Sequence, residues 1–238
     1  MINIKNLTKK YGKHLANDNI SMSIEEGCLA VLLGPNGAGK STLIKAVCGL
    51  LRFKGEIMVG GYANSHIEAK RMLGYVPEFP SLYPMLTVWE HMEFIARAYQ
   101  LKNWKNDAET LLESFEMSDK LNKLGKELSK GMQQKVNICC ALLPTPRAVI
   151  LDEPLVGLDP HGIRQLKNTV SALRKDGRAL LISTHIIDSI DEDWDKVFIM
   201  FGGKVVSERK RAEVGDAKNL EPLYFEIIDA ENKANVGS

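Results

Sequence analysis

Features typical of a membrane-spanning or secreted protein are missing from this chain of 238 residues. Its apolar runs, such as Leu29 to Leu33 and Val197 to Phe201, are far shorter than the ~20 residues that a helix needs to cross a bilayer. The chain does not begin with a basic stretch leading into an apolar segment and a cleavage site. We therefore expect a cytoplasmic protein, and any association with a membrane must come through a partner.

Patterned cysteines and an excess of charge are missing as well. The four cysteines, Cys28, Cys48, Cys139 and Cys140, form no Cys-x-x-Cys pair and lie in apolar stretches, so we expect them to act as small core residues without disulfides. The chain has 31 basic against 30 acidic residues and a formal net charge of +1. Because nucleic-acid binding needs a basic surface, we predict no nucleic-acid partner.

What the sequence does contain is an alternation of short apolar runs with helical periodicity, which predicts a mainly parallel sheet covered by helices on both faces. The first thirty residues instead alternate between apolar and polar positions, as in antiparallel strands joined by a turn near Gly12. The later expected strands are 29–33, 148–151, 179–182 and 197–200, and the expected helices are 43–50, 88–99, 107–115, 132–143, 163–173 and 186–190.

Three of these helices follow one another between residues 80 and 143 without a strand signal. This grouping predicts a helical lobe inserted into an α/β core and ended by Pro144 and Pro146. We expect a single domain over 1–238, with a core formed by 1–79 and 144–215, a lobe formed by 80–143, and a C-terminal extension over 216–238 that becomes irregular near Asn232.

The run Gly34-Pro35-Asn36-Gly37-Ala38-Gly39-Lys40-Ser41, followed by Thr42, fits the phosphate-binding pattern G-x-x-x-x-G-K-[ST]. The glycines let backbone N–H groups curl around an anion, and the following helix directs its positive end to the same point. Lys40 can reach the β and γ phosphates, and the Ser41 hydroxyl can ligate Mg²⁺. The motif alone indicates an NTPase.

Two adjacent carboxylates, Asp152 and Glu153, follow the buried run Val149 to Leu151, at a strand end where ligands collect in open α/β sheets. Asp152 can hold Mg²⁺ through water, and Glu153 can orient or deprotonate an attacking water. Taken alone, such a pair is more often a solvated turn. Because a phosphate loop lies upstream, a functional pair of carboxylates becomes the favoured interpretation.

A third motif, Ser129-Lys130-Gly131-Met132, opens the helix predicted to follow it. Ser129 is a suitable N-cap, and the free N–H groups there form a second anion site, although the motif by itself is an ordinary capped helix. With the phosphate loop before it and Asp152-Glu153 after it, the set strongly resembles the ATP-binding cassette of ABC transporters.

The resemblance covers about residues 2 to 210 in the family's motif order. It implies a P-loop NTPase core of the RecA-like α/β kind, with a mixed, mainly parallel sheet, an N-terminal antiparallel β-subdomain and an inserted α-helical lobe. It also implies ATPase activity with ATP and Mg²⁺. By resemblance, Tyr11 stacks on adenine, Gly34 to Thr42 hold phosphates, Ser129 to Met132 form the signature, Asp159 belongs to the D-loop, and His185 is the switch histidine.

In this family, ATP is held between the phosphate loop of one subunit and the signature of another. The resemblance therefore implies a second ATP-binding subunit, identical or different, and integral membrane permease subunits that hold the chain at the cytoplasmic face. His185 would contact the γ-phosphate, and Asp159 would communicate across the dimer. We predict no catalytic role for the other histidines, His14, His66, His91 and His161.

Several positions depart from the family pattern. Lys130 and Met132 stand where Gly and Gln are commonest, but the backbone donors survive, so ATP should still be sandwiched. Leu155 stands where a small hydroxyl residue is frequent, which we interpret as a packing variation. The segment Gly74 to Glu78 matches the approach to the Q-loop but ends in Glu instead of Gln. The predicted metal ligands are Ser41, Asp152 and Glu78.

Two functions remain open: a transport ATPase that moves separate membrane subunits, and a soluble ABC ATPase that acts on ribosomes or DNA. Ribosome-acting members typically carry tandem cassettes, and DNA-repair members carry long coiled-coil insertions. This chain has one cassette and a short lobe, which favours transport. The segment Phe79 to Glu90, especially Leu82 to Pro84 and Leu86 to Glu90, resembles exporters of the ABC-2 kind and favours export. Thr87 and Glu90 also predict a capping box.

Overall fold

The computed structural model describes residues 1–187, 194–215 and 220–236. Its strands are β1 (Ile2–Tyr11), β2 (His14–Ile24), β3 (Leu29–Leu33), β4 (Lys54–Val59), β5 (Tyr62–Ala63), β6 (Leu73–Val76), β7 (Ala148–Asp152), β8 (Ala179–Thr184), β9 (Lys196–Phe201) and β10 (Lys204–Lys210). Its helices are α1 (Lys40–Val47), α2 (Ile67–Arg71), α3 (Val88–Ala98), α4 (Trp104–Ser114), α5 (Lys130–Leu142), α6 (Pro160–Lys175), α7 (Arg211–Val214) and α8 (Leu220–Val236). Short 3₁₀ turns span Ser118–Lys120 and Gly125–Glu127.

The larger sheet has the strand order β10-β9-β3-β8-β7-β6, and all its neighbours are parallel except β10 and β9. Strands β3 and β7 are buried at every residue. Along β3, Val31 and Leu33 pack into one hydrophobic cluster while Ala30 and Leu32 pack into another, as expected where both faces of a sheet are covered. The predicted mixed, mainly parallel sheet is confirmed.

The smaller sheet is antiparallel and has the order β2-β1-β4-β5. Its first hairpin turns at Gly12, whose φ of 57° suits glycine, and it pairs Ile2 with Ile24 and Ile4 with Met22. The predicted antiparallel strands are therefore confirmed. Strands β4 and β5, which complete this sheet, were not predicted, because Lys54 to Glu56 are exposed and weaken the apolar alternation.

Three helices, α3 to α5, lie between β6 and β7, close to their predicted limits. Helix α3 begins at the predicted capping box, in which the Thr87 hydroxyl and the Glu90 carboxylate each accept a backbone N–H. Cys139 and Cys140 of α5 are buried in the lobe, and burial raises the pKa of the Cys140 thiol to about 12. All four cysteines are free.

Helices α1 and α8 and strand β6 also differ from the sequence predictions. Helix α1 ends at Val47 rather than Leu50, because Gly49 turns the chain with a φ of 71° and leaves Leu50 61% exposed. Strand β6, an edge strand beside β7, was not predicted. Helix α8 continues to Val236 although an irregular tail was expected from Asn232, because buried Tyr224 anchors the helix to the core.

The predicted helix over 186–190 lies outside the described residues from 188 onward. The division into core, lobe and C-terminal extension stays a prediction. Among the helices of the described ranges, none combines the length and the apolar content that crossing a membrane requires.

Candidate functional site

The phosphate loop connects the end of β3 to the start of α1 and is packed against two other strands. Gly39 adopts a φ of 99°, which favours glycine. A Cβ on Gly39 would lie 2.4 Å from the carbonyl oxygen of Ala16 in β2, and a Cβ on Gly34 would lie 2.4 Å from that of Met200 in β9. Both positions therefore require glycine for a close backbone approach.

Lys40 begins α1, and its side chain is only 6% exposed. Its Nζ donates to the carbonyl oxygens of Gly34 at 2.7 Å and Pro35 at 3.3 Å, and lies 3.5 Å from Oε1 of Glu153. A buried ammonium is costly unless it is paired and hydrogen-bonded. These partners therefore hold the charge of Lys40 at the mouth of the loop.

Asp152 ends β7 and is reached by two hydroxyl groups. Its Oδ1 accepts hydrogen bonds from Ser183 Oγ at 2.5 Å and from Ser41 Oγ at 3.3 Å. The sheet order explains the arrangement: Ser183 is the register partner of Asp152 on β8, and β8 lies between β7 and the strand that leads into the phosphate loop. The parallel sheet therefore brings Ser41 and Asp152 together from distant parts of the chain.

Glu153 is buried directly after β7 and has a φ of 47°, in the left-handed region that a non-glycine residue seldom occupies. Its N–H contacts Oγ and the carbonyl oxygen of Ser183 at 3.1 and 3.2 Å. Its Oε1 lies 2.9 Å from Nδ1 of His185 as well as 3.5 Å from Nζ of Lys40. A strained backbone position of this kind is often found at functional sites.

A cavity of about 570 Å³ opens beside these groups. Its lining unites residues from the hairpin, the phosphate loop, the segment after β6 and the ends of β7 and β8. They are Tyr11, His14, Ala16, Asn36, Gly37, Ala38, Gly39, Lys40, Ser41, Thr42, Glu78, Glu153 and His185. Gly34, Pro35 and Asp152 do not line the cavity; Gly34 and Pro35 supply the carbonyl groups that hold Lys40 in it, and Asp152 contacts its Ser41.

Several residues of this site were missed or given no role, among them Ala16, which lines the cavity. Buried Asn17 on β2 donates through Nδ2 to the carbonyl oxygen of Gly39 at 3.1 Å, and its only sequence signal is an amide beside Ala16 in an alternating strand. Ser183 lies two residues before His185 and was given no role from the sequence. His14, predicted to have no catalytic role, lines the same cavity as the glycine loop.

The signature residues and Asp159 lie outside this cavity. Ser129 caps α5 as predicted, since its Oγ accepts the N–H of Met132 at 3.3 Å, and Lys130 and Gly131 form the first turn. Asp159 caps α6 by accepting the N–H of Gly162 at 2.7 Å. That N–H, and then nearby Lys135 and His161, lower the pKa of Asp159. Within one chain, the signature therefore lies outside the cavity that the phosphate loop lines.

The family model described as ABC transporter matches residues 17–156, which is more than half of the chain. The chain belongs to the ABC transporter family. It is an ATP-binding and ATP-hydrolysing subunit of that family. The matched segment includes the phosphate loop, the signature and both carboxylates of the Asp152-Glu153 pair, whereas Tyr11, Asp159 and His185 lie beyond it.

Curated relatives of the ABC transporter family match almost the full chain. The sequence is 36% identical to the ABC-type transporter ATP-binding protein EcsA of Bacillus subtilis (strain 168), over 95% of this chain and 96% of EcsA. It is 34% identical to the SkfA peptide export ATP-binding protein SkfE of the same organism, over 87% of this chain and 88% of SkfE.

Solved structures of the ABC transporter family show the same fold. The ATP-binding subunit of an ABC transporter superposes with a TM-score of 0.90 at 32% identity, over 96% of this chain and 99% of that one. The ATP-binding cassette MJ0796, solved as a dimer in a post-hydrolysis state bound to ADP and Pi, superposes with a TM-score of 0.76 at 27% identity, over 89% and 99% of the two chains.

The first test addresses Lys40. Lys40→Ala removes the main fixed positive charge at the loop, so we expect weaker ATP binding and ATP turnover lowered by at least about tenfold. Lys45→Ala, at an exposed position of the same helix, is the matched control and should behave like the wild type. Wild-type turnover in Lys40→Ala would contradict the role of the loop lysine.

Proposed function

We propose that this chain is the motor subunit of an exporter, in which ATP binding closes a dimer of cassettes and the closure is passed to separate membrane subunits. The observation that carries the proposal is the meeting of Lys40, Glu153 and His185 at one point beside the phosphate loop. A cation, a carboxylate and an imidazole in that arrangement suit phosphate binding and activation of water.

In the proposed reaction, Lys40 binds the β and γ phosphates, and a phosphate there competes with Glu153 for the same ammonium. Glu153 accepts the proton of the water whose oxygen attacks the γ-phosphorus, while the bond to the bridging oxygen of ADP breaks. His185, held through Nδ1 by Glu153, contacts the γ-phosphate. Tyr11, which also lines the cavity, stacks on adenine.

The donors near Asp152 fit a magnesium ion. Mg²⁺ prefers hard oxygen ligands and is usually held by one or two carboxylates together with substrate phosphates. Ser41 Oγ lies 3.3 Å from Oδ1 of Asp152, and Glu78 lines the adjoining cavity. We infer that Ser41, Asp152 and Glu78 would hold the metal, which supplies charge neutralisation at the phosphates when bound.

We further infer that the complete site forms between two subunits, identical or different. Ser129, Lys130, Gly131 and Met132 supply N–H donors at the start of α5, outside the cavity that holds the phosphate loop. A partner subunit could present the same segment to the γ-phosphate, with Asp159 at the contact. The dimeric structure of MJ0796, which is similar to this chain, supports the arrangement.

A surface for the membrane partner is proposed at the docking patch, defined here as Phe79, Tyr83, Met85 and Phe94, each between 47% and 66% exposed. The rings of Tyr83 and Phe94 contact edge to face with centroids 5.3 Å apart, and the Tyr83 N–H donates to His91 at 2.9 Å. Exposed apolar groups held in place in this way often mark an interaction site. An integral membrane permease subunit bound there would keep the chain at the cytoplasmic face.

Export is favoured over import by two findings. The relative SkfE is named as a peptide export protein, and the segment Phe79 to Glu90 resembles exporters of the ABC-2 kind. The relatives described above are named as transporter components, and nothing supports the alternative of a soluble ATPase acting on ribosomes or DNA. The cargo is selected by the membrane subunit.

The proposed function is tested by Glu153→Gln. The amide keeps the shape of the side chain but cannot take the proton, so ATP should bind while hydrolysis falls by roughly 10²-fold. Gel filtration with ATP and Mg²⁺ should then show an accumulated dimer. Glu109→Gln, at an exposed position of α4, is the control. A Glu153→Gln protein that hydrolyses ATP normally rules out the assigned role.

Glu78 links the site to the signature helix. Its neighbour Pro77 accepts a hydrogen bond from Gln134 of α5 at 3.4 Å, and Lys130 Nζ lies 5.2 Å from the ring centre of Phe79. A carboxylate about 4 Å from a phosphate charge is repelled by up to ~4 kcal/mol at an effective dielectric near 20, while a divalent cation attracts both groups. We infer that Glu78 ties the position of the lobe to magnesium occupancy.

This inference predicts that Glu78→Gln raises the Mg²⁺ concentration needed for half-maximal ATPase activity, while turnover at saturating Mg²⁺ stays within about tenfold of the wild type. The measurement is a Mg²⁺ titration of both proteins, with binding followed by calorimetry in the presence of ATP. The exposed residue Glu109 again supplies a matched control, Glu109→Gln. Superimposable titration curves mean that Glu78 does not sense the metal.

The docking patch predicts membrane attachment through Phe94. Phe94→Ser should lower the amount of chain that sediments with membranes from the source cells by at least about threefold, because exposed aromatic anchors dominate such contacts. Ile67→Ser changes an apolar residue that is 57% exposed but lies in α2, away from the patch, and should sediment like the wild type. Equal sedimentation of both variants would remove the patch from the proposal.

A further inference from the structure

One face of α5 packs closely against the segment that links β7 to α6 and against the start of α6. Gly131 and Lys135 are four residues apart in this helix and therefore lie on the same face. A Cβ on Gly131 would lie 2.6 Å from the carbonyl oxygen of Gly157. One turn further on, the Lys135 side chain crosses Gly162, where an added Cβ would lie 3.1 Å from Lys135 Cε. Glycine is present at each of these close approaches.

The ammonium of Lys135 lies between two carboxylates. Its Nζ is 3.6 Å from Oδ1 of Asp159, the N-cap of α6, and 3.9 Å from Oε2 of Glu116, which follows α4 in the lobe. The same Glu116 oxygen lies 3.2 Å from Nδ1 of His161. The Lys135 side chain is 10% exposed, whereas those of Glu116 and Asp159 are 56% and 61% exposed. Lys135 is thus the buried centre of the cluster.

The positive charge of Lys135 offsets the repulsion between two carboxylates at this contact. Without it, the carboxylates of Glu116 and Asp159 would face each other where α5 meets the loop, and like charges at short range repel. With it, both carboxylates are attracted to one point on α5. The ion pairs of Lys135 therefore connect the lobe to the start of α6.

We propose that Lys135 is a positioning residue for ATP hydrolysis, which holds the signature helix and the loop from Glu153 to Asp159 as one unit within each subunit. A movement of the helical lobe then moves Asp159. The inference rests on the proposed function, because it takes the roles of the signature, Glu153 and Asp159 from there. Lys135 does not line the nucleotide cavity, so it acts on turnover rather than on ATP binding.

The test compares Lys135→Met, which removes the charge and keeps most of the length, with Lys135→Arg, which keeps the charge. We expect Lys135→Met to lower kcat by about tenfold and to change the ATP dissociation constant of the dilute subunit by less than about twofold. Lys135→Arg should keep at least about a third of the wild-type kcat. Lys105→Met, at an exposed position of α4, should be unaffected.

A second variant asks whether Lys135 acts through Asp159. Asp159→Asn removes the charge but keeps the N-cap, since Asn caps helices as well as Asp does. If the two residues act together, the double variant Lys135→Met/Asp159→Asn should have a kcat within about twofold of Lys135→Met alone. Multiplying effects would mean that the residues act independently and would overturn the proposal.

Three further results would also overturn it: wild-type kcat in Lys135→Met, equal losses in Lys135→Met and Lys135→Arg, or a change in ATP affinity that accounts for the lost rate. If Lys135→Met does not fold, as judged by its thermal unfolding midpoint, the exposed Glu116→Gln takes its place. Glu116→Gln should lower kcat by about threefold with unchanged ATP affinity, and an unchanged kcat would contradict the tie to the lobe.

The outcome is separable from that of the proposed function. Normal hydrolysis by Glu153→Gln would contradict the proposed function itself. Slow hydrolysis by Glu153→Gln together with normal hydrolysis by Lys135→Met would contradict only the positioning role of Lys135.

Discussion

The requirement that a buried ammonium be neutralised governs the site. Lys40 is almost fully enclosed, and the loop carbonyls cannot balance its charge alone. Glu153 supplies the balancing charge from a distant part of the sequence, and it reaches Lys40 because β7 and β3 lie on either side of β8. The same strand order places Ser183 beside Asp152, to which it donates a hydrogen bond. The strand order of the sheet therefore brings the phosphate loop and the acidic pair together.

The parts of the site that spacing predicts without the family resemblance are local in the chain. The phosphate loop and the Ser129 cap depend on residues within a few positions of each other, so their spacing carries the information. Asn17 and Ser183 reach the site only because β2 runs past Gly39 and β8 is inserted between β3 and β7. Alternation of apolar residues predicts strands but not their order. Leu50 was misplaced because helical spacing continued beyond the glycine that ends the helix.

The short segment from Glu153 to Asp159 connects the nucleotide cavity to the signature helix. The loop begins with Glu153 in the nucleotide cavity and ends with Asp159 beside Lys135 of the signature helix. The glycines of the loop and of α5 allow their backbones to touch without intervening side chains. A displacement at one end of so short a connection is difficult to absorb before it reaches the other, because packed elements deform little. The carboxylate of Glu153 is thereby linked to the signature helix through a short, closely packed segment.

The left-handed backbone of Glu153 has a consequence for how this protein can evolve. A non-glycine residue in that region costs about 1–2 kcal/mol relative to an ordinary conformation. Glycine would relieve the strain, but it would also remove the carboxylate that faces His185. Under the proposed role of Glu153, selection for a more stable fold and selection for turnover favour different residues at this one position. A lineage that lost its need for hydrolysis could gain stability there by a single substitution, so an inactive descendant would be favoured by folding alone.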